Sequence, residues 1–431
     1  MLNFSQIIKN ERINQKLTQQ SLAKGICSTS YLSKIEKNNV IARPHIQEAL
    51  LHRLKLDTRS IKISQEANFL DELYAEYKNC VLVNNSEQAQ KIWSHFNNFT
   101  IEFSSRENFY KCNLYLQRIA IIAEQPVLEI DEISKAFLAI VDHLHPRELF
   151  LYYVNCCHYC YAKHLYDDAV IYIKQAQKWI DDPTIEKWMI GDYHLLVSSV
   201  NHAIYQHSAS VSQAFKALNI FESLNLHIPI INCYLRIGIS NNRNGFFEYA
   251  KTNFDTAYRF ALQYELVGFY GRILQNLGYN AALMGDSKLA ITYYKKSLYY
   301  KNTLTPKLVS IHSIAKEYSK TDAITHIRAW CSKGKKLIAD SAKPTSNRKY
   351  FYHFSILEMY HAITAFDDEL ILEAIDYFQG ISDLLNVQKY SLILAKFYFK
   401  MDYFEMSALY FELSSETALT VQERMNWQDL S

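Results

Sequence analysis

The amino-acid sequence predicts an all-α protein in which a small N-terminal helical domain precedes a long array of helix pairs. Residues that break helices are scarce, with 10 Gly and 7 Pro in 431 residues. Apolar residues recur at helical spacing along most of the chain, and no segment alternates convincingly as a strand does. A pattern of small and aromatic residues also repeats at an offset of 40 residues. Scarce breakers, helical periodicity and an internal repeat together indicate stacked helices.

The first predicted element is an amphipathic helix over residues 3–16. Its inward residues are Phe4, Ile7 and Ile8, and Ile13 is a further candidate. Residues 44–54 form a later helix that begins at Pro44 and closes the small core, because Pro is favoured in the first helical turn.

Residues 17–38 are predicted to form two short helices joined by a tight corner at residues 25–27. Thr18 is a suitable N-cap for the first, which buries Leu22 and Ala23, and Ser28 or Thr29 can cap the second, which buries Leu32 and Ile35. A short helix with a polar N-terminal face can enter a DNA major groove about 12 Å wide. The pattern therefore predicts a helix-turn-helix domain over residues 1–62, and an ordinary surface hairpin is the alternative.

Charge favours DNA over other partners for this domain. Residues 1–62 hold seven Lys and four Arg against four acidic residues, a net charge of +7, whereas the whole chain carries +2 and the remainder therefore −5. A basic head on a mildly acidic body is typical of a protein that binds phosphates of double-stranded DNA. The predicted base-edge contacts are Gln19, Ser28, Thr29, Ser30, Tyr31 and Lys34, and the predicted phosphate contacts are Thr18, Lys37 and Arg43.

At these residues the head resembles the Xre-type helix-turn-helix, and in particular that of the RRNPP family of peptide-sensing regulators. Common Xre domains have a Gly four residues after the Ala of the Leu-Ala pair, and Cys27 stands there in this chain. The Ile26-Cys27 pair, followed by a short polar run and the sequence LSKIE, is similar to the NprR and PlcR types.

The body of the chain, residues 63–431, contains an internal repeat. A short, semi-rigid linker is predicted at residues 55–64, before the body. The matching residues at the offset of 40 are Gly238 with Gly278, Gly245 with Gly285, Ala250 with Ala290, Phe254 with Tyr294 and Ala257 with Ser297. These are marks of a tetratricopeptide-like unit, with a small residue where helix A contacts helix B and a Gly at the turn. Weaker copies place the small residue of helix B at Ala169, Ser210, Ala323, Ala374 and Ser407. Such pairs stack into a right-handed superhelix whose concave groove is lined by helix A of each pair.

Polar residues cluster at the predicted inner positions of helix A. These candidate peptide-binding residues are Asn155, His158, Asn201, His202, Asn232, Arg236, Asn242, Arg272, Gln275 and Asn276. An Asn amide can hydrogen-bond a peptide backbone on both sides, and an Arg can hold a carboxylate. A solvated polar face or a local cap is the better explanation for any single one of them, and it is their clustering on one predicted face that favours a peptide groove.

The head and the repeats together resemble the RRNPP family over most of the chain. The resemblance implies a quorum-sensing transcriptional regulator, a homodimer controlled by a short signalling peptide in the groove, with groove asparagines on the peptide backbone; that role transfers to Asn155, Asn201, Asn242 and Asn276. Paired heads would match palindromic DNA operators. A protein-interaction switch of the Rap type, which binds a response regulator, is the alternative from another class. A phage or mobile-element regulator of the same fold is a third.

Other functions find little support in the sequence. No stretch has the features of a signal peptide or of a membrane span, so a cytoplasmic protein without a membrane partner is expected. The eight cysteines have no framework spacing, and the run Cys156-Cys157-His158-Tyr159-Cys160 lacks a second ligand pair for zinc. No catalytic motif occurs. We therefore expect no enzyme activity, no metal site and no cofactor.

Overall fold

The computed structural model describes residues 4–426, except 38, 41, 57, 97–102, 104, 127–129, 131–133, 136, 139 and 342–346. Within that part of the chain, regular structure is helical and no residue lies in a strand. The predicted all-α fold is confirmed.

The chain divides into two compact units, residues 1–155 and residues 156–431. The helices of the first unit are α1 (Phe4–Asn14), α2 (Gln19–Ala23), α3 (Thr29–Glu36), α4 (Pro44–Arg53), α5 (Thr58–Val83), α6 (Ser86–Phe96) and α7 (Arg106–Ile122). A 3-10 turn (Val141–His143) follows, and helix α8 (Pro146–Ala162) contains the boundary between the units. The domain boundary predicted at residue 62 stays a prediction.

Helices α1–α4 share one small apolar core. Ile8, Leu22, Leu32, Ile35 and Leu50 are fully buried in it. Ile13 is more than half exposed, so its predicted inward orientation is wrong, and Ile7 has a side chain outside the described residues. The linker predicted at residues 55–64 is also wrong for most of its length. Helix α5 begins at Thr58, and Lys55, with a φ of 55°, forms a turn after α4.

The second unit is a series of helix pairs. Its helices are α9 (Tyr166–Gln177), α10 (Lys187–Ala203), α11 (His207–Ser223), α12 (His227–Arg243), α13 (Phe247–Gln263), α14 (Tyr270–Leu283) and α15 (Ser287–Tyr300). They continue as α16 (Leu304–Ser319), α17 (Ile324–Ala339), α18 (Arg348–Tyr360), α19 (Asp368–Gly380), α20 (Leu384–Lys400) and α21 (Phe404–Asn426), with a 3-10 turn (Val267–Phe269) before α14. Each helix packs on the next, as in a tetratricopeptide-like array.

The residues shared by the two best repeats have the predicted structural roles. Gly278 of α14 leaves room for Tyr294 of α15, because a Cβ at Gly278 would lie 2.6 Å from the Tyr294 ring. Gly238 accommodates Phe254 in the same way in the preceding pair. The turn glycines, Gly245 and Gly285, have φ values of 80° and 86°, a conformation that favours Gly.

Two of the weaker repeat assignments are wrong by a few residues. Ala323 is the N-cap of α17, and the fully buried residue in its fourth helical position is Ile327. In α19 the corresponding position is Ile371, whereas Ala374 lies three residues later. The fourth position requires burial against helix A, and Ile meets that requirement at Ile327 and Ile371, which are both fully buried.

Candidate DNA-binding surface and candidate peptide groove

Helix α3 presents a short polar face at its N-terminus. The Ser28 Oγ accepts a hydrogen bond of 3.2 Å from the backbone N–H of Tyr31, and the Thr18 Oγ1 accepts one of 3.0 Å from Ser21 at the start of α2. Both predicted caps are confirmed, although Ser28 alone occupies the cap of α3. Gly25, with a φ of 73°, makes the corner between the two helices.

A buried ion pair ties α3 to α1. The Arg12 guanidinium donates two hydrogen bonds to the Glu36 carboxylate, at 2.6 and 2.9 Å, and the Glu36 side chain is only 2% exposed. The Gln19 Nε2 donates a further bond of 2.7 Å to Glu36. Burial acts to raise the pKa of Glu36, but the bonds from Arg12 and Gln19 and the Arg12 charge together lower it. The pair fixes the orientation of α3 on the head.

The predicted DNA contacts fall into two groups in the structure. The exposed ones are Thr18, Ser28, Thr29, Ser30, Lys34, Lys37 and Arg43. Gln19 is hydrogen-bonded to Glu36, and Tyr31 packs against the core of the head. Both side chains therefore have contacts within the head, and their predicted contacts with DNA bases stay a prediction.

Two of the predicted peptide-binding asparagines are used inside the protein. Asn155 is 1% exposed, and its Nδ2 donates to the Leu114 carbonyl at 2.9 Å and to Gln117 at 3.1 Å. Asn242 is 4% exposed, and its Oδ1 accepts a bond of 2.8 Å from Asn280. Neither side chain is accessible to a peptide. Whether an A-helix residue points into a groove or into the interior depends on its position to within one residue, and the repeat alignment does not determine positions that accurately.

Three predicted groove residues do form an accessible cluster. Arg272 of α14 donates to the Asn232 Oδ1 of α12 and lies 5.0 Å from the centre of the Phe269 ring. Desolvation and the nearby charge of Arg236 lower the pKa of Arg272 to about 10. Two guanidinium groups and an amide are thus held together on adjacent A helices.

Most of the remaining predicted residues have side-chain partners within the protein. His158 lies 3.4 Å from Asp192, and the His202 Nδ1 lies 3.1 Å from the Ser240 hydroxyl. Gln275 accepts hydrogen bonds from Lys301 and Ser310, and Asn276 donates to the Arg272 carbonyl one turn earlier. Asn201 is half-buried. Their role in peptide binding stays a prediction.

A cavity of the second unit lies further along the chain than the predicted residues. It has a volume of about 1000 Å³ and is formed by the A helices α16, α18 and α20 with parts of the following turns. We call it the C-terminal groove. Its basic side chains are His312, Lys316, His353, His361, Lys389, Lys396 and Lys400, and its apolar and aromatic ones include Ile356, Leu357, Tyr360, Phe366, Ile393 and Phe397.

Two stacked histidines form the floor of this groove. The rings of His312 and His353 lie 4.7 Å apart and are nearly parallel, and His353 is hydrogen-bonded to the Tyr390 hydroxyl. Burial, with the charges of Lys389 and Lys316, lowers the pKa of His312 to about 3. The sequence pattern did not indicate this groove, because the small and aromatic residues that mark the repeats are poorly kept in this part of the chain. The signal that could have found it is the helical spacing of Lys389, Ile393 and Lys396 on one face of α20.

A smaller cavity of about 630 Å³ lies within the same unit. It is lined in part by His202, His207, Arg243 and Lys349. Among the residues that the structure describes, no group of acidic, His and Cys side chains could hold a metal ion, and no helix is long and apolar enough to cross a membrane. Cys156, Cys157 and Cys160 are buried thiols in α8.

The fold defines the class of protein, a helical-repeat protein with a small N-terminal helical head. No protein-family model matches the chain. The chain is 24% identical to the transcriptional activator NprA of Geobacillus stearothermophilus over 406 residues. This alignment covers 91% of this chain and 98% of that protein. A Rap protein solved with competence and sporulation factor has a TM-score of 0.66 at 16% identity, covering 84% of this chain and 99% of that one.

NprR, solved in complex with its cognate peptide NprX, has a TM-score of 0.59 at 18% identity and covers 80% of this chain and 97% of its own. The chain shares the fold of these two structures. The resemblance to the RRNPP regulators is confirmed by the comparisons.

Proposed function

We propose that this protein is a cytoplasmic, non-enzymatic transcriptional regulator of the RRNPP type. Its head binds double-stranded DNA as an Xre-type helix-turn-helix, and a short signalling peptide in the concave groove controls that binding. The observation that carries the proposal is the exposed polar face of α3, with Ser28, Thr29, Ser30 and Lys34, which the buried Arg12–Glu36 pair holds in place. The net charge of +7 on the head supports a phosphate-bearing partner.

The groove supports the regulatory half of the proposal. A cavity of about 1000 Å³ is large enough for several residues of an extended peptide. The similar protein NprA is named a transcriptional activator, and NprR is described in complex with its cognate peptide. We further propose a homodimer, because two heads related by a two-fold axis match the two halves of a palindromic operator.

The DNA-binding half is tested by replacing one exposed lysine. High-affinity duplexes are first selected from random DNA with the full-length protein, and binding is then measured by fluorescence anisotropy at several salt concentrations. Lys34→Ala should weaken binding by about tenfold, since a good contact to a base or phosphate contributes about 1–3 kcal/mol. Lys295→Ala, which removes an exposed charge from α15 in the other unit, is the matched control. Equal affinities of the two variants would contradict the role of α3.

A second candidate function is a protein-interaction switch of the Rap type. The fold similarity to a Rap protein, with a TM-score of 0.66, favours it. The switch predicts that the protein binds a response regulator through residues 63–431 and needs no head. A pull-down with purified response regulators compares the full chain with a chain that lacks residues 1–62. Retained partner binding without the head would favour the switch, and loss of all partner binding in both chains would favour the DNA regulator.

A further inference from the structure

The charge of the C-terminal groove is one-sided. Lys316, Lys389 and Lys396 line it, and among the described residues no carboxylate lies within 4 Å of their ammonium groups. Asp322, the acidic side chain in the lining, is already 3.1 Å from His361. Residues 63–431 carry a net charge of −5, so this concentration of cations is contrary to the charge of the body as a whole.

Two of these lysines come from different A helices. Lys316 belongs to α16 and Lys389 to α20, and both are close enough to the stacked His312 and His353 to lower the pKa of each ring. Desolvation and the nearby Lys316 also lower the pKa of Lys389 to about 8. Nearby like charges repel one another, and a bound anion would offset that repulsion.

The groove has an apolar part beside this cationic part. Ile356, Leu357 and Tyr360 of α18 and Ile393 and Phe397 of α20 contribute to its lining. Apolar lining next to a few convergent charged groups is the usual composition of a small-ligand site. An extended chain that places a carboxylate on the lysines would place a neighbouring side chain on this apolar wall.

Building on the proposed peptide-sensing function, we infer that the C-terminal groove binds an anionic peptide end. Lys316 and Lys389 hold a carboxylate of the peptide, and the wall formed by Leu357, Ile393 and Phe397 holds an adjacent bulky apolar side chain. The carboxylate is either the C-terminus of the peptide or an Asp or Glu side chain, since both offer the same two oxygens to an ammonium group.

The test uses the full chain and synthetic peptides of known design. A random heptapeptide mixture is made once with free C-terminal carboxylates and once with C-terminal amides. The peptides that the protein retains are identified by mass spectrometry, and one selected peptide is titrated by calorimetry. Preference for the free-acid mixture assigns the C-terminal carboxylate, and enrichment of Asp or Glu in the amide mixture assigns the side chain. Both results support the inference when bulky apolar residues are enriched beside the carboxylate.

A pair of variants ties the preference to the groove. The double variant Lys316→Gln/Lys389→Gln should weaken binding of the selected peptide by at least about tenfold, because it removes two charge-assisted contacts. Lys295→Gln/Lys336→Gln removes the same charge from exposed positions on the B helices α15 and α17 and should bind as the unchanged protein does. Equal urea denaturation midpoints show that both variants fold.

Other outcomes overturn the inference. If the retained peptides show no preference for a carboxylate, or if the Lys316→Gln/Lys389→Gln variant binds them equally well, the anion site is wrong while peptide sensing stands. If neither mixture yields a retained peptide, the inference and the peptide half of the proposed function both fail. The DNA-binding half is judged separately by the Lys34→Ala measurement.

Discussion

At the scale of single residues, Glu36 determines how α3 is presented. Its buried carboxylate receives hydrogen bonds from Arg12 of α1 and Gln19 of α2, so three helices meet at one side chain. Removing one partner of a buried ion pair leaves an uncompensated charge, whereas replacing both partners with apolar residues is often nearly neutral. The polar face that we propose for DNA binding thus depends on a buried residue outside that face.

Replacing Arg12 therefore tests the buried pair. We expect Arg12→Met to destabilise the head by about 3 kcal/mol, which corresponds to about a hundredfold faster exchange of the backbone amides of α1 and α3. Hydrogen–deuterium exchange followed by mass spectrometry measures this in the full chain. Arg12→Met/Glu36→Leu, which removes both charges, should recover most of the protection. Faster exchange in the double variant than in the single one would contradict the account.

At the scale of elements, the contact between the two helices of a pair depends on a missing side chain. Gly278→Ala would place a Cβ 2.6 Å from the Tyr294 ring, and overpacking of this kind costs about 1–3 kcal/mol. We expect a lower urea midpoint for Gly278→Ala and a partial recovery in Gly278→Ala/Tyr294→Leu. Gly380→Ala at the end of α19, where a Cβ meets no atom within 4 Å, is the control and should not lower the midpoint.

The same contact explains how much of the fold the sequence predicts. Where a Gly and an aromatic residue mark the pair, as at Gly238 with Phe254, the helices and their turns are predicted correctly. Elsewhere the turn conformation is kept by other residues, such as Tyr205 with a φ of 67° and Asp402 with a φ of 60°. The backbone geometry repeats at these turns, but the residue type does not. An alignment of the repeats by residue type is therefore shifted by a few residues there.

The candidate site was less predictable than the fold for a related reason. Consecutive residues of a helix point about 100° apart around its axis. An error of one residue in the repeat alignment therefore assigns the wrong face of an A helix to the groove. Asn155 was predicted to face a ligand and instead bonds Leu114 and Gln117 in the interior. The groove of Lys316 and Lys389 is defined by helices far apart in sequence. Only the stacking of successive pairs brings them together.

At the scale of the whole molecule, histidines make the stability of the array depend on pH. Burial, with the charge of Arg243, lowers the pKa of His207 to about 4, and burial is also the first cause for His194, His202, His312 and His353. The unfolded chain takes up these protons near pH 6.5, before the folded chain does. The stability present above pH 6.5 is therefore lost progressively as the pH falls toward 4.

We expect the urea midpoint of the array to fall between pH 7 and pH 5. His207 alone should contribute about 2 kcal/mol to the loss at pH 5, because each unit of pKa shift corresponds to about 1.4 kcal/mol. Circular dichroism at fixed temperature over this pH range measures the trend. His207→Asn does not titrate, so its midpoint should change less with pH than that of the unchanged protein. Identical pH dependence in the two proteins would show that folding does not change the pKa of His207.

Linkage between the head and the groove gives the last prediction. If a peptide in the groove changes DNA affinity by some factor, DNA must change peptide affinity by the same factor, since the two equilibria form a closed cycle. Coupling of this kind is commonly 5- to 150-fold, about 1–3 kcal/mol. Titrating a selected peptide into the full chain, with and without saturating selected duplex, measures one side of the cycle, and titrating DNA with and without peptide measures the other.

Lys34→Ala should weaken DNA binding and leave the peptide affinity of the DNA-free protein unchanged, because Lys34 lies on the head and the groove lies between α16 and α20. Equal peptide affinities with and without DNA would mean that the array does not control the head, and the protein-interaction switch would then be the better account of the groove.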